Sequence, residues 1–124
     1  MNVFQLGDFK LHSGHKSKWK IDCDVLTDED YETFAWIVSK ELKIKFHKVK
    51  PIPRGGNRFG KALKKYESRS WDIHTLIVDD VLTTGKSFEE IRRKEVENIL
   101  GVVIFARGKC PDWVIPIFQM RAAR

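Results

Sequence analysis

Hydrophobic and polar positions along the chain follow two different periods. In the N-terminal part, apolar side chains alternate with polar ones at Phe9 and Leu11, and again from Trp19 to Val25. An alternation of period two indicates half-buried strands. Between these two stretches, residues 13–17 are polar and contain a glycine, which predicts a turn.

Three later stretches have the helical period instead. Apolar residues spaced by three and four predict a helix over about 28–43, a second over about 57–66, and a third that follows residue 87. The first and third begin with a hydroxyl residue followed three positions later by an acid, which is the pattern of a capping box. The pairs are Thr27 with Asp30, and Ser87 with Glu90.

Strands are predicted between these helices. Residues 45–53 are expected to form a strand from their position, and the apolar runs 73–78 and 101–106 are typical of strands buried in a parallel sheet. The last strand, over 113–120, contains Pro116 and is therefore expected at an edge. The order of elements predicts a single α/β domain with a mainly parallel sheet flanked by helices. Residues 1–26 form an N-terminal segment of short strands, and residues 27–124 form the core.

Residues 76–87 carry the candidate chemistry and read Leu-Ile-Val-Asp-Asp-Val-Leu-Thr-Thr-Gly-Lys-Ser. Ligands of open α/β sheets bind outside the carboxyl ends of strands, and a turn that leads into a helix favours an anion. Asp79 and Asp80 suit sugar hydroxyls, or Mg²⁺ held through water. The two carboxyls are not expected to share a proton, because adjacent strand residues point in different directions. A nucleotide-binding P-loop is excluded, because Asp80 stands where that motif requires glycine.

Composition limits the function classes. The 124 residues are 42% hydrophobic and 32% charged, which is ordinary for one globular domain. No apolar run is long enough to span a membrane, and no signal-peptide pattern is present, so we expect a cytoplasmic protein without a membrane partner. Cys23 and Cys110 are too few for a zinc site or a disulfide framework, and free thiols are expected.

The net charge of +6 predicts an anionic partner, either phosphates or nucleic acid. Nucleic acid is compatible with this charge but not favoured, since the sequence has neither zinc-finger spacing nor an RNA-binding signature interleaved with aromatic residues.

Residues 76–85 resemble the phosphoribosyl pyrophosphate (PRPP) signature of type I phosphoribosyltransferases. The resemblance implies that Asp79 and Asp80 contact the ribose hydroxyls of PRPP. It implies that the 5′-phosphate is bound by the following turn, which contains Thr83, Thr84, Gly85, Lys86 and Ser87. The family usually has threonine where Lys86 stands. Mg²⁺ is the implied cofactor, held mainly through PRPP and by Asp79 and Asp80.

Two further segments extend the resemblance. Arg54, Gly55 and Gly56 look like the family's pyrophosphate loop. Residues 7–19 are similar to the hood segment of orotate phosphoribosyltransferases, although the family commonly has lysine where His12 stands. The hood would place a nitrogenous base near Ser13, Gly14, His15 and Lys16.

The resemblance implies transfer of the phosphoribosyl group to a base, with orotate the nearest guess, by a homodimer that releases pyrophosphate. Orotate-type enzymes have a mobile lid before the acid-bearing strand, where this chain has only residues 67–72. Two functions stay open: an enzyme, or a non-catalytic PRPP-sensing or RNA-binding regulator on the same fold.

Overall fold

Six strands and three α-helices are found in residues 2–11, 14–69, 74–95 and 98–121, which the computed structural model describes. The strands are β1 (Phe4–Lys10), β2 (Lys16–Ile21), β3 (Phe46–Pro51), β4 (His74–Leu82), β5 (Ile99–Ala106) and β6 (Val114–Gln119). The helices are α1 (Asp28–Trp36), α2 (Asn57–Leu63) and α3 (Lys86–Lys94). No helix in these ranges has the length and apolar content needed to cross a membrane.

The main sheet has the order β3-β4-β5-β6, and every neighbouring pair is parallel. The predicted α/β fold with a parallel sheet is therefore confirmed, as is the edge position of the strand that contains Pro116. The pairing of β3 with β4 ends at Pro51 and Val78, whereas β5 continues beside β4 as far as Leu82. The last four residues of β4 thus extend beyond the end of β3.

Both faces of this sheet are buried, because β4 and β5 carry apolar side chains on either side. Leu76 and Val78 pack with α1 and α2 on one face, while Ile77 packs with Phe88 of α3 on the other. Three layers result, as the continuous apolar runs predicted. The carboxyl ends of the strands lie at one edge of this sandwich, and the loops that follow them meet there.

The N-terminal segment forms a separate antiparallel sheet of β1 and β2. One of its contacts with the core is made by the ring of Phe4, which lies 5.7 Å from the ring of Phe105 in an edge-to-face arrangement. The predicted second strand reached Val25, but β2 ends at Ile21 and Cys23–Val25 is a 3₁₀ turn. The carboxylate of Asp22 causes this, because it accepts a hydrogen bond from the backbone N–H of Asp24 at 3.1 Å and caps the turn.

The two predicted capping boxes have different outcomes. The one on α1 is confirmed: the N–H of Asp30 donates to Thr27 Oγ1 at 3.1 Å, and the N–H of Thr27 donates to Asp30 Oδ2 at 2.8 Å. The one on α3 is wrong, since this helix begins at Lys86 with Gly85 as its N-cap and no side chain as a cap. Gly85 has a left-handed φ of 82°, which glycine adopts readily, so the helix starts one residue before Ser87 can cap it.

Helix ends and connections complete the fold. Helix α1 continues as a π-helical turn through Ile37–Glu41, close to the predicted end at residue 43. Helix α2 continues as a 3₁₀ turn through Lys64–Tyr66, as far as the predicted end. Residues 107–113 join the parallel strands β5 and β6 without a helix and return along the sheet to the level of Gly101, whose N–H donates to Trp113 O at 2.8 Å.

Candidate functional site

The two acids lie inside β4 instead of after it, which corrects the expectation that the strand ends in carboxylates. Asp79 pairs with Val103 of β5, and the ladder continues to Leu82 and Ala106. Since β3 has already ended, one side of this part of β4 is free of a strand. The partly buried acids therefore face the loop that follows β3.

That loop contains the predicted pyrophosphate-binding residues, and it lies directly against the acids. A Cβ on Gly55 would be 2.6 Å from Asp80 Oδ1, and a Cβ on Gly56 would be 2.5 Å from the carbonyl oxygen of Val78. Neither position accepts a side chain without a shift of its neighbours. The peptide bond between Pro53 and Arg54 is cis, and the Arg54 side chain is exposed. The structure thus brings together two motifs that are separate in the sequence.

The two carboxyl groups interact, so the expectation that adjacent strand residues would separate them is wrong. Burial, the negative charge of Asp80 and a hydrogen bond with the Asp80 side chain raise the pKa of Asp79 to about 8. The carboxylates also bind the backbone: the N–H of Asp80 donates to Asp79 Oδ1 at 2.8 Å, and the N–H of Val81 donates to Asp80 Oδ1 at 2.7 Å. Without a ligand, the protonated form of Asp79 is therefore favoured relative to that of a solvent-exposed aspartate.

Cys23 and Tyr31 lie beneath the acids, and the sequence offered no signal for either. Burial, the charge of Asp80 and a hydrogen bond with the Asp80 side chain raise the pKa of the Cys23 thiol. Burial raises the pKa of Tyr31, as do Cys23 and Asp80, and its ring carries the guanidinium of Arg58 at 4.7 Å. Both side chains stay neutral at physiological pH, so the side chains of Cys23 and Tyr31 add no charge beneath the acids.

The predicted phosphate turn, residues 83–87, follows β4 and leads into α3. Gly85 is buried within it, while Thr84, Lys86 and Ser87 are exposed. Within the described chain no side chain caps α3, and the only side-chain bond to its first N–H is a long contact of 3.4 Å from Lys86 N to Thr84 Oγ1. The backbone N–H groups of the first turn are thus available at the positive end of the helix dipole, an arrangement that favours an anion.

The connection between β5 and β6 packs against the turn of residues 83–87. A Cβ on Gly108 would be 2.2 Å from the carbonyl oxygen of Thr83, and the N–H of Arg107 donates to Leu82 O at 2.8 Å. A cavity of about 580 Å³ lies between the β5–β6 connection and α3, and it reaches the turn at Thr84. The sequence pattern gave no indication of this contact.

Three of the predicted base-binding residues, Gly14, His15 and Lys16, lie at the turn of the N-terminal hairpin. Ser13 and His12 fall outside the described residues, whereas Gly14, His15 and Lys16 are exposed. The structure ties the hairpin to the carboxyl edge of the sheet through its strand β2. The residues of β2 that make this connection are Ser17 and Trp19.

Arg107 makes that connection. Its Nη2 donates to Ser17 Oγ at 2.8 Å, its Nη1 donates to Trp19 O at 3.1 Å, and its guanidinium lies 3.6 Å from the centre of the Trp19 ring. Burial lowers its pKa. No local pattern predicts this residue, because its partners are 88 and 90 positions away in the sequence.

Metal ligands are few in the described ranges, which contain no group of three or more His, Cys, Asp or Glu side chains able to hold an ion. Asp79 and Asp80 supply carboxylate oxygens, the donors that Mg²⁺ prefers. Mg²⁺ commonly binds one or two carboxylates and completes its shell with water and substrate phosphates. The acid pair therefore fits a metal ion that arrives with a phosphorylated ligand.

No protein-family model matches the sequence, and no curated protein is significantly similar to it. Solved structures share its fold. Orotate phosphoribosyltransferase from Aeropyrum pernix is 18% identical with a TM-score of 0.71, over 95% of this chain and 88% of that one. The enzyme from Mycobacterium tuberculosis is 11% identical with a TM-score of 0.67, over 95% of this chain and 90% of that one.

Orotate phosphoribosyltransferase from Francisella tularensis is 18% identical with a TM-score of 0.62, over 94% of this chain and 80% of that one. At such identities the similarity establishes the fold. The chain has the fold of the type I phosphoribosyltransferases, as the sequence resemblance predicted.

Proposed function

We propose that this protein binds PRPP together with Mg²⁺ and transfers the phosphoribosyl group to a nitrogenous base, releasing pyrophosphate. One observation supports this most strongly: the Asp80 carboxylate lies against Gly55, so that acids suited to ribose and a loop suited to pyrophosphate form one surface. PRPP carries its pyrophosphate on the ribose, which requires both recognition elements to be adjacent. The fold shared with orotate phosphoribosyltransferases supports the same assignment.

The ribose would lie over β4, where Asp79 and Asp80 accept hydrogen bonds from its two hydroxyls. Carboxylates are acceptors only when ionised. Since the pKa of Asp79 is raised to about 8, binding near neutral pH releases its proton. Asp79 and Asp80 would hold Mg²⁺ together with PRPP, and a cation there would favour the same ionisation of Asp79.

The 5′-phosphate would lie in the turn of residues 83–87. Backbone N–H groups at the start of α3 donate to its oxygens, and the hydroxyls of Thr83, Thr84 and Ser87 add further donors. Lys86, exposed in the same turn, contributes a positive charge and keeps its backbone N–H. Replacement of the family's usual threonine by lysine is therefore compatible with phosphate binding.

The pyrophosphate would lie on Arg54, Gly55 and Gly56. A guanidinium binds paired phosphate oxygens through two parallel hydrogen bonds, and the exposed Arg54 side chain is free to reach them. The two glycines let the backbone approach the ligand closely. A side chain at residue 55 would meet the Asp80 carboxylate, and one at residue 56 would meet the backbone of Val78 and Ile52.

In the transfer reaction, the bond from ribose C1 to the pyrophosphate oxygen breaks and a bond from C1 to a base nitrogen forms. Pyrophosphate leaves with the electron pair of the broken bond, and the base nitrogen loses its proton to the departing pyrophosphate or to solvent. The chain's contribution is positioning and electrostatic stabilisation: the acids hold the ribose, and Arg54 neutralises the departing charge. Bound Mg²⁺ would supply further charge neutralisation on the pyrophosphate.

The acceptor base would lie under the N-terminal hairpin, near Ser13, Gly14, His15 and Lys16. Orotate is the first candidate, because the similar structures from three organisms are orotate phosphoribosyltransferases. We further propose that the active form is a homodimer whose partner subunit helps to cover the site.

A second candidate is binding of PRPP without transfer. Only residues 67–73 connect the turn that ends at Tyr66 to β4. Two of them lie along β3, since Glu67 Oε2 accepts from Val49 N at 2.8 Å and the N–H of Ser68 donates to Phe46 O at 2.8 Å. Little chain is left to exclude water from the reacting ribose, a role that lids perform in many enzymes.

Two measurements test these candidates in order. Thermal unfolding with PRPP and Mg²⁺, compared with either alone, should show stabilisation of about 2.7 kcal/mol at 100 times the dissociation constant. No stabilisation would contradict both candidates. Pyrophosphate release is then assayed with orotate and a panel of purine and pyrimidine bases. Release with one base supports the transferase, and binding without release to any base supports the regulator.

A further inference from the structure

The N-terminal hairpin, residues 4–21, depends on the core for its order. A two-stranded hairpin alone is at best marginally stable in water. Its described contacts with the core include the Phe4 ring on Phe105, the partly buried Ile21 on the apolar core, and three contacts from the Arg107 side chain. Phe4 is itself 51% exposed, so Arg107 is the better-defined attachment.

Arg107 is in turn fixed to the start of the phosphate turn. Its N–H donates to Leu82 O at 2.8 Å, which continues the β4–β5 ladder by one residue. Gly108 follows, with its Cα so close to Thr83 that a Cβ would be 2.2 Å from the carbonyl oxygen. A shift of residues 83–84 therefore moves the backbone that carries the Arg107 side chain.

The guanidinium is suited to act as a rigid link. It donates two hydrogen bonds to Ser17 Oγ and Trp19 O and stacks on the Trp19 ring, so that strand β2 is held at three points. The planar guanidinium of arginine can donate several hydrogen bonds in fixed directions while it stacks on a ring, whereas the ammonium group of lysine is a single point charge.

We infer that Arg107 is a positioning residue that couples the hairpin to the phosphate turn. A phosphate held by residues 83–87 fixes Thr83 and hence residues 107–108, which stabilises the hairpin in its docked position. Coupling of two sites is reciprocal, so release of the hairpin loosens the turn. The identity of the ligand rests on the proposed function, whereas the coupling itself is a property of the chain.

Hydrogen–deuterium exchange of the full chain tests the coupling, read in peptides from the hairpin (residues 4–21) and from the turn (residues 82–90). The proteins are wild type, Arg107→Leu, Arg107→Lys and, as a matched control, Arg93→Leu, which removes an exposed arginine of α3. With PRPP and Mg²⁺, hairpin exchange in the wild type and the control should slow about fivefold or more, the lower range of known couplings.

In Arg107→Leu the hairpin should exchange rapidly with or without ligand, while the ligand still protects the turn. Arg107→Lys should recover part of the effect. Should Arg107→Leu fold poorly, Ser17→Ala removes one of the two hydrogen bonds and should weaken the hairpin's response in the same direction. The coupling would be overturned if, in the wild type, the ligand slowed exchange of the turn peptides and left exchange of the hairpin peptides unchanged.

The proposed function can fail separately. If PRPP changes exchange in neither segment of the wild type, the ligand assignment is wrong. The coupling is then tested by comparing exchange of the variants without ligand. Faster turn exchange in Arg107→Leu than in Arg93→Leu then supports the coupling, and equal turn exchange in the two variants overturns it.

Discussion

The carboxylate of Asp80 occupies the space that a side chain on residue 55 would need, 2.6 Å from the position of such a Cβ. Residue 55 belongs to the loop after β3, and Asp80 belongs to the part of β4 that extends beyond β3. The close approach means that the position of the acid and the path of the loop are set together. Substitutions at the two glycines of the loop should therefore separate effects on binding from effects on folding.

Gly55→Ala should weaken PRPP binding at least tenfold, because its methyl group displaces the Asp80 carboxylate, the movable end of a side chain. The free energy of unfolding should fall by about 1–3 kcal/mol, as for other overpacked sites. Gly56→Ala should be more destabilising, since its Cβ would be 2.5 Å from Val78 O and 2.8 Å from Ile52 O, both backbone atoms.

Denaturant unfolding and calorimetric titration with PRPP and Mg²⁺ measure the two effects of these glycine substitutions. Lys61→Ala, at an exposed position of α2, the helix that follows this loop, is the control for a nearby change that meets no other residue of the site. Wild-type PRPP affinity in Gly55→Ala would show that the acid and the loop do not act on one ligand.

The raised pKa of Asp79 predicts a dependence of stability on pH. An unfolded aspartate loses its proton near about pH 4, whereas Asp79 in the folded chain keeps it up to about pH 8. Between these values the folded state holds the extra proton, so the free energy of unfolding falls as pH rises and levels off above pH 8. One group contributes a slope of at most about 1.4 kcal/mol per pH unit.

Asp79→Asn removes this titration and resembles the protonated form. The stability of the variant relative to wild type should therefore rise from pH 5 to 8 in denaturant unfolding. Groups that do not interact with Asp79 cancel in this difference. A difference that stays constant across the range would show that Asp79 titrates normally.

Lys86→Thr introduces the residue that the type I phosphoribosyltransferase family usually has in this turn. PRPP affinity should change by less than about threefold, under 1 kcal/mol at 25 °C, because the backbone N–H is kept and a hydroxyl replaces an exposed cation. Titration at two salt concentrations should show a weaker salt dependence in the variant. Complete loss of PRPP binding would place the phosphate on the Lys86 side chain rather than on the turn.

The capping boxes offer a test of helix starts. Thr27→Ala should lower the free energy of unfolding by about 1 kcal/mol, since it removes the hydrogen bond to the Asp30 N–H. Ser87→Ala should change it by less than about 0.5 kcal/mol, because Gly85, not Ser87, is the N-cap of α3. Urea unfolding measures the free energy of unfolding of both variants. Equal losses in the two variants would show that Ser87 is the N-cap of α3.

Local patterns were sufficient for most of the fold. Apolar runs in β4 and β5 predicted a sheet buried on both faces, and the amphipathic stretches predicted helices on either side. The failure at Ser87 is instructive, because a Ser-x-x-Glu pattern competes there with the turn before it. The positive φ of Gly85 lets the helix start two residues earlier than predicted, at Lys86, and pattern matching contains no information about φ.

The candidate site was predictable where its residues form continuous motifs, namely the two acids, residues 83–87 and residues 54–56. The residues that connect these motifs were not predictable. Cys23 lies beside Asp80, Gly108 packs on Thr83, and Arg107 binds Ser17 and Trp19 across 90 and 88 positions. Each contact depends on tertiary packing, which a periodicity argument does not reach.

Calorimetric titration of PRPP with Mg²⁺ into wild type and into Asp79→Asn with Asp80→Asn tests the central claim most directly. The double variant keeps the size of both side chains and removes their charge, so it should stay folded in thermal unfolding. We predict binding to wild type, with proton release near neutral pH, and a loss of at least a hundredfold in affinity in the variant. Unchanged PRPP affinity in a folded double variant would contradict the assignment of this site.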